Sequence, residues 1–237
     1  MDKNVVKVAI LSDLHYALMP NLACPERCGD KMNLILSNTV ELLNREEQID
    51  LVLVGGDLIN FPEAEEAEEL TQTLAKILSK LKMPYTVIRG NHDLPKEKFE
   101  KIFPFKAITD VDFVRIVAFD DKETPNYNAE RSEADLQRMK EAANFDGVVF
   151  SFQHTSLTPK GSCIYSYDNI DKILSVMREN SYRGALSGHF HEGIELFEED
   201  NLQFLVQSAL CEKPFAMTLL SISRNGIEDV SKLTVKF

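Results

Sequence analysis

The stretch VVKVAILSDLH, residues 5–15, passes from an apolar run into an aspartate and a histidine that stand two positions apart. A short, near-continuous apolar run is typical of a strand that is buried on both faces of a parallel sheet. Five more runs have this character: Leu51 to Val54, Tyr85 to Ile88, Phe113 to Phe119, Val148 to Phe152 and Gly184 to Leu186. The sequence therefore predicts a fold built on buried strands.

Helical patterns lie between several of these strands. Apolar residues spaced three and four apart predict amphipathic helices over Met32 to Glu47 and Glu63 to Lys82, with Pro62 at the first helical position of the second. Two further helices are predicted at Glu130 to Ala143 and Asp168 to Asn180, followed by short strands at Ile194 to Phe197, Phe204 to Val206 and Met217 to Ile222. This order favours one α/β domain over residues 1–237.

Composition narrows the choice of partners. The 38 acidic residues outnumber the 26 basic ones, and a net charge of −12 is opposite to what binding to nucleic acid or an anionic membrane requires. No apolar run approaches the roughly 20 residues that cross a bilayer, and the N-terminus lacks the features of a secretory signal. We therefore expect a cytoplasmic protein with no membrane or nucleic-acid partner. In that compartment Cys24, Cys28, Cys163 and Cys211 should be reduced thiols.

Polar residues follow the predicted strands, and all five histidines are among them. In chain order these residues are Asp13, His15, Asp57, Asn91, His92, Asp93, His154, His189 and His191. The carboxyl ends of strands in an open α/β sheet share one rim, where ligands bind. We therefore expect these side chains to lie close together.

The residue types at this rim indicate metal binding. Carboxylates, an amide and imidazoles without a thiolate suit ions such as Mn, Fe or Zn. Residues two apart on an extended segment point to the same side, so Asp13 with His15 and His189 with His191 can each act as a pincer. Glycine precedes three of the polar residues and permits close approach of the backbone; these are Gly56, Gly90 and Gly188.

Five short motifs, in order between residues 13 and 191, resemble the signature of the calcineurin-like metallophosphoesterases. They are Asp13-Leu14-His15, Gly56-Asp57, Gly90-Asn91-His92-Asp93, His154 and Gly188-His189-Phe190-His191. Towards the C-terminus, Pro214-Phe215 before a strand and Asn225-Gly226 in a turn are similar to the Icc-type branch, whose members are like cyclic-nucleotide phosphodiesterases. The resemblance implies a four-layer α/β/β/α sandwich of two packed mixed sheets flanked by helices, with the metal site at the carboxyl ends of the strands.

The same resemblance implies a role for each motif residue. One metal ion would be held by Asp13, His15 and His191, a second by Asn91, His154 and His189, and Asp57 would bridge both. His92 would assist the leaving oxygen of the substrate as a general acid or charge stabiliser, with Asp93 orienting its ring. One segment departs from the family pattern: where many relatives have His-His-Pro-Pro or a similar sequence, this chain has Gln153-His154-Thr155-Ser156.

Two metal ions about 3.5 to 4 Å apart can hold a bridging water as hydroxide and neutralise the charge on a phosphate. The sequence therefore predicts a hydrolase for a small phosphodiester or phosphomonoester, without a phosphoenzyme. A 3′,5′-cyclic nucleotide phosphodiesterase is one specific form of this function. A nuclease would need a basic groove and a protein phosphatase an extended peptide groove. A non-catalytic scaffold would usually have lost some ligands, since unpaired buried polar groups are costly. The metal, the preference between mono- and diesters and the oligomeric state stay open at this point.

Overall fold

Two large β-sheets pack face to face in the computed structural model, which describes residues 3–46 and 48–236. The first sheet has the spatial order Gly226–Thr234 (β13), Ala216–Ser223 (β12), Val6–Leu11 (β1), Leu51–Val54 (β2) and Tyr85–Val87 (β3). The second has the order Ile194–Glu199 (β10), Leu202–Val206 (β11), Gly184–Ser187 (β9), Val148–Phe152 (β8), Val114–Ala118 (β5) and Ile108–Val111 (β4). In both sheets parallel strands lie at the centre and antiparallel strands at one or both edges, so both are mixed.

Helices cover the outer face of each sheet. Met32–Arg45 (α1), Ala67–Leu78 (α2) and Lys96–Ile102 (α3) pack on the first sheet. Glu133–Ala142 (α4) and Ile170–Glu179 (α5) pack on the second. A small hairpin of Lys122–Thr124 (β6) and Asn128–Glu130 (β7) lies between β5 and α4. The predicted four-layer α/β/β/α sandwich is confirmed.

The layering explains why the central strands are apolar along their whole length. In β1, Ala9 and Leu11 contact the helical layer, while Val8 and Ile10 belong to the core between the two sheets. Strand β2 alternates in the same way, and all of its residues are buried. A strand that packs on both faces has no solvent side on which polar residues would be favoured.

Three helices begin later than the sequence pattern predicts, and α5 does so by only two residues, at Ile170. Helix α2 starts at Ala67, so Pro62 lies in a preceding turn and the prediction that it opens the helix is wrong. Turn hydrogen bonds from Ala64 N to Phe61 O (3.2 Å) and from Ala67 N to Ala64 O (3.1 Å) precede the helix. Helix α4 starts at Glu133 because Ser132 caps it, accepting a hydrogen bond from the backbone N–H of Asp135 at 3.1 Å.

The sequence pattern did not predict the longest strand, β13. Only Gly226 and Ile227 are buried in it, and most of its other residues are polar and exposed. As an edge strand it pairs with β12 alone, so its apolar pattern is weak. The extended conformation of β13 is determined by its pairing with β12, and not by the properties of its own side chains.

No disulfide joins the four cysteines in the structure; Cys24, Cys28 and Cys163 are half-buried and Cys211 is buried. Within residues 3–46 and 48–236, no helix is long and apolar enough to cross a bilayer.

Candidate metal centre

The polar residues that follow the strands meet at one rim of the sandwich. Strands β1, β2 and β3 of the first sheet and β8 and β9 of the second end there. Their loops surround a cavity of about 570 Å³. Among the residues that line it are His15, Asp57, Asn91, His92, His189 and His191. Asp13 and His154 are buried beside them, so the structure brings all seven predicted metal ligands together.

The backbone at this rim adopts uncommon conformations. Asp13, His15, Asp57 and His189 have φ angles of 56°, 46°, 51° and 70°, in the left-handed region that residues other than glycine rarely occupy. Hydrogen bonds from the N–H of Asp13 to Gly56 O (3.0 Å) and of His15 to Asp57 O (2.9 Å) join the loops after β1 and β2. Strained backbone of this kind persists only where the surroundings hold it, and it concentrates at functional sites.

All three glycines singled out in the sequence are required for this close approach, since even at Gly56 a Cβ would lie 2.7 Å from Gly90 N and 2.9 Å from His154 Nδ1. A Cβ at Gly90 would lie 2.2 Å from Asp57 Oδ1. A Cβ at Gly188 would lie 2.0 Å from Ser12 Oγ and 2.9 Å from Asp13 Oδ2. All three glycines therefore let a neighbouring loop come into contact with a predicted ligand, as the sequence predicts.

Three ligand atoms form the first half of the centre. His191 Nε2 lies 3.0 Å from His15 Nε2 and 3.6 Å from Asp13 Oδ1, and the latter two atoms are 4.0 Å apart. Asp13 Oδ1 is buried and has no hydrogen-bond partner among the described residues. Between the three atoms lies a point about 2 Å from each, close to the 2.0–2.2 Å length of bonds from zinc to nitrogen and carboxylate oxygen. A divalent ion therefore fits the group, and it would satisfy the unpaired oxygen.

His154 is the hub of the second half. Its Nε2 lies 3.1 Å from Asn91 Oδ1, 3.1 Å from His189 Nδ1 and 3.3 Å from Asp57 Oδ1. The opposite ring nitrogens contact carbonyl oxygens: His154 Nδ1 donates to Gly55 O (2.7 Å) and His189 Nε2 to Tyr127 O (3.0 Å). A carbonyl can only accept, so when both rings are neutral the nitrogens that face the group carry lone pairs, as metal ligation requires, and an ion bound there would displace the second proton of a charged His154 ring.

Asp57 contacts both halves. Its Oδ1 faces His154 Nε2, while its Oδ2 lies 3.6 Å from His15 Nε2. Oδ1 also accepts the backbone N–H of His92 at 2.8 Å. The two oxygens of one carboxylate are therefore directed to the two histidine groups, which is the arrangement of a bridging ligand.

Burial and mutual charge set the protonation of the centre. Burial lowers the pKa of His189 to about 3 and that of His15 well below its usual value, so both rings are neutral at pH 7. Although burial opposes its charge, the Asp57 carboxylate raises the pKa of His154 to about 10. His154 in turn outweighs the burial of Asp57 and holds the pKa of that carboxyl well below its usual value. Asp57 is therefore ionised at neutral pH and attracts positive charge to the middle of the site.

His92 lines the cavity beside the first half, but its predicted partner is wrong. Its Nδ1 pairs with the backbone carbonyl of Asn60 at 3.0 Å. Asp93 is buried, and its two oxygens accept backbone N–H groups of Leu58 (2.7 Å) and Gly90 (2.8 Å). These bonds occupy the carboxylate and join the loops after β2 and β3. Asp93 thus positions the backbone around Asp57 and Asn91, while Asn60 orients the ring of His92. Burial and the neighbouring Asp57 raise the pKa of Asp93 to about 7.

The departure from the family pattern at Gln153 has a structural role. The Gln153 side chain is buried and donates to Leu186 O (3.0 Å) and Ser187 Oγ (2.8 Å). Its oxygen accepts from the guanidinium of Arg131 at 3.1 Å. Gln153 thus ties β8 to β9 and helps to satisfy a buried arginine.

Besides Asn60, sequence reasoning missed Glu212 and Tyr127 at the centre. Glu212, in the loop between β11 and β12, has its Oε1 2.5 Å from His191 Nδ1 and 3.9 Å from Arg27 Nε. The hydrogen bond with His191 holds the pKa of the Glu212 carboxyl below its usual value. Tyr127 contributes its backbone carbonyl to His189, and a carbonyl leaves no signal in residue type. Glu212 is outside the motifs, and nothing local distinguishes it from the many other acidic residues of the chain.

Glu212→Gln should lower the affinity for metal about ten- to a hundredfold, because the carboxylate fixes the ring of His191 and increases its basicity. Titration of the metal-free chain with Mn would measure the change. Glu26→Gln is the matched control, since Glu26 also lines the cavity and its side chain makes no hydrogen bond or ion pair in the described part of the chain. Equal affinity in the Glu212 variant and the unmodified chain would show that His191 does not depend on this contact.

Comparison with known proteins adds an independent observation. Residues 6–193 match the sequence model of the calcineurin-like phosphoesterase family, and this stretch covers most of the chain. The chain belongs to the calcineurin-like phosphoesterase family. No curated protein is similar enough in sequence to count as a match. Family membership makes the chain a metal-dependent phosphoester hydrolase, in agreement with the prediction from its motifs.

Solved structures share the fold of this phosphoesterase at low sequence identity. A dimetal phosphatase from Danio rerio superimposes with a TM-score of 0.76 at 16% identity, over 99% of this chain and 100% of that one. GAP50, the anchor in the inner membrane complex of Plasmodium, has a TM-score of 0.61 at 11% identity, over 99% and 90% of the two chains. The purple acid phosphatase PPD1 from yellow lupin, Lupinus luteus, has a TM-score of 0.57 at 13% identity, over 99% and 54%.

Proposed function

We propose that this phosphoesterase hydrolyses a small phosphodiester or phosphomonoester with two transition-metal ions. Asp13, His15 and His191 would hold one ion, Asn91, His154 and His189 the other, and Asp57 both. The observation that carries the proposal is the position of Asp57, whose two oxygens lie 3.3 Å from His154 Nε2 and 3.6 Å from His15 Nε2. One carboxylate between two groups of nitrogen and oxygen ligands could hold two metal ions close together, and two close ions can stabilise both the attacking and the leaving oxygen at phosphorus.

The bound ions would supply positive charge that stabilises the phosphate oxygens and would acidify the attacking water. The chain's own residues would retain the ions, hold the loops in place and face the substrate. Asp57 and Asp13 provide the negative charge that retains the ions, and Asp93 fixes the loops that carry Asp57 and Asn91. His92 faces the cavity, and its ring is held by the Asn60 carbonyl.

The reaction follows from this arrangement. Water attacks phosphorus in line and releases one proton to the solvent, the bond from phosphorus to the ester oxygen breaks, and His92 places a proton on the departing oxygen and regains one from the solvent. No side chain forms a bond to phosphorus, so no phosphoenzyme is needed. The products are an alcohol and a phosphate with one ester group fewer.

Nitrogen and oxygen ligands without a thiolate support Mn, Fe or Zn as the ions. The charge distribution supports a small substrate. Glu26, Glu192 and Glu212 line the cavity, while Arg27 is the one Lys or Arg among the described residues that line it, and the chain carries a net charge of −12. A nucleic-acid backbone would be repelled, so we expect weak cleavage of duplex DNA at physiological salt. The complete ligand set likewise supports an enzyme over a scaffold that has lost its ligands.

The test combines metal content with turnover on the full chain. Metal-saturated protein should contain two ions per chain and hydrolyse a bis-aryl phosphodiester, with activity lost to a chelator and restored by Mn. A panel of monoesters, diesters, cyclic nucleotides and nucleotide sugars would then rank the substrates. A single bound ion, or no hydrolysis of any ester in the metal-loaded state, would contradict the proposal.

A further inference from the structure

The cavity at the metal centre is wider than a phosphate group needs and has two unlike walls. Its volume of about 570 Å³ falls within the range of about 300–1,000 Å³ for small-molecule sites. On the side of His191 the wall is polar, with Arg27 and Glu212 in contact with each other. On the side of His189 it is aromatic, with Tyr127, Tyr165 and Phe190 among the lining residues.

The aromatic wall is a connected group of rings that begins at a predicted metal ligand. The ring of Tyr165 lies 4.4 Å from that of His189, and it lies 6.3 Å from the rings of Tyr127 and Phe190. Tyr127 is 57% exposed, and Ile164, which precedes Tyr165 in the chain, is 75% exposed. Such large apolar side chains beside a cavity leave a surface that favours an apolar or aromatic ligand.

The fold holds Tyr127 in a strained position. Asn126 and Tyr127 have successive φ angles of 65° and 60°, and a left-handed conformation is a genuine outlier for a bulky residue. This turn connects β6 to β7, and the Tyr127 carbonyl accepts the hydrogen bond from His189. The same turn therefore orients a metal ligand and presents an aromatic ring to the cavity.

Both aromatic loops are firmly attached to the body of the protein. Asp121, just before β6, pairs with the buried Arg131 and accepts the Tyr167 hydroxyl at 2.7 Å. The loop that carries Tyr165 is bound to β7 through Ser166 N and Asn128 Oδ1 at 2.9 Å. Rings fixed in this way lose little conformational entropy when a ligand packs against them.

We infer that Tyr127, Tyr165 and Phe190 form a subsite for a planar aromatic group of the substrate, which is then an aromatic phosphoester such as a nucleoside phosphoester. Rings pack edge-to-face or offset at centroid distances of about 4.5–7 Å, and every nucleobase offers a face for stacking. The acidic residues of the other wall disfavour additional phosphates, so the substrate carries a single phosphate. This inference rests on the proposed function and adds the substrate class.

The test compares two methyl phosphodiesters on the metal-loaded chain, a nucleoside 5′-methylphosphate and the corresponding ribose compound without its base. The base-bearing ester should have a kcat/KM about ten- to a hundredfold higher. Tyr165→Ala should abolish most of this ratio, and Tyr165→Phe should preserve it. Tyr127→Ala provides a second variant should the first fail to fold. Phe61→Ala is the control, because Phe61 is 55% exposed but is not among the residues that line the cavity; it should leave the ratio unchanged.

Further arms separate the possible results. A 2-phenylethyl ester that matches the nucleoside ester would assign the subsite to aromatic rings in general, and a weaker 2-phenylethyl ester would assign it to nucleobases. Equal kcat/KM for the two methyl esters, or preference for a hexyl ester, would overturn the inference. Failure to hydrolyse even the ester without a base would contradict the proposed function instead. In that case, calorimetry with a nucleoside monophosphate still tests the subsite, since loss of binding in Tyr165→Ala would support it and unchanged binding would refute it.

Discussion

Asp57→Asn should deplete both metal sites and lower turnover by roughly 10³-fold or more, since the ions contribute several kcal/mol to the transition state. The substitution preserves the shape of the side chain but removes its charge. Among the described residues, Asp57 is the one carboxylate in contact with both histidine groups, at 3.3 Å from His154 Nε2 and 3.6 Å from His15 Nε2. Elemental analysis and kcat/KM on an activated diester would measure the two losses.

Asp13→Asn is the matched comparison. Asp13 contacts His191 Nε2 at 3.6 Å and belongs to the first half of the centre, so this variant should lose one ion and retain the other. Circular dichroism of both variants would establish that they fold. Near-normal metal content in Asp57→Asn, or identical losses in the two variants, would show that Asp57 does not bridge.

His92→Ala should leave both ions bound and reduce turnover by about 10² to 10⁴, the usual contribution of a positioned general acid. The loss should depend on the leaving group. A nitrophenolate departs without much help, whereas an alkyl or ribose oxygen needs a proton. The rate should therefore fall far more on an alkyl or ribose ester than on a nitrophenyl ester. The metal content of the variant must be measured as well, because His92, His15 and Asp57 have potential ligand atoms within 4.8 Å of one another. At that distance His92 could itself be a metal ligand.

His92→Asn separates proton donation from positioning. An asparagine amide can donate a hydrogen bond to the Asn60 carbonyl, as His92 Nδ1 can at 3.0 Å, but it has no proton to give at neutral pH. This variant should be as slow as His92→Ala. Equal losses on alkyl and nitrophenyl esters would indicate stabilisation of phosphate charge, and loss of an ion would make His92 a ligand.

Asp93→Asn distinguishes the observed role of Asp93 from the predicted one. Since its oxygens accept the N–H groups of Leu58 and Gly90, an amide would set its own N–H against one of these donors. We therefore expect a lower Tm and weaker metal binding. If Tm were unchanged and the loss of turnover were larger for esters with a more basic leaving group, Asp93 would instead have the predicted role in proton transfer.

Much of the fold could be predicted because its determinants are local. The apolar runs of β1 and β2 reflect burial on both faces, and the spacing of Leu70, Leu74, Ile77 and Leu78 places one side of α2 against the sheet. Boundaries were less predictable. Helix α2 starts at Ala67 because turn hydrogen bonds precede it, and β13 exists because β12 pairs with it. Neither cause is visible in the residues themselves.

The sequence by itself determined which residue types gather at the rim. Ligand chemistry is a property of single side chains, and position after a strand is local, so Asp13, Asp57 and the histidines could be named before their distances were known. Only the tertiary structure decided how these residues are held. His191 meets Glu212, His189 meets the Tyr127 carbonyl, and His92 meets the Asn60 carbonyl, across 21, 62 and 32 positions of the chain. Such contacts form where the packing of two sheets brings separate loops together, and two of the three use backbone carbonyls that every residue type carries. The aromatic wall of the cavity has the same origin, since Tyr127 and Tyr165 become neighbours only when the β6–β7 hairpin binds the loop that precedes α5.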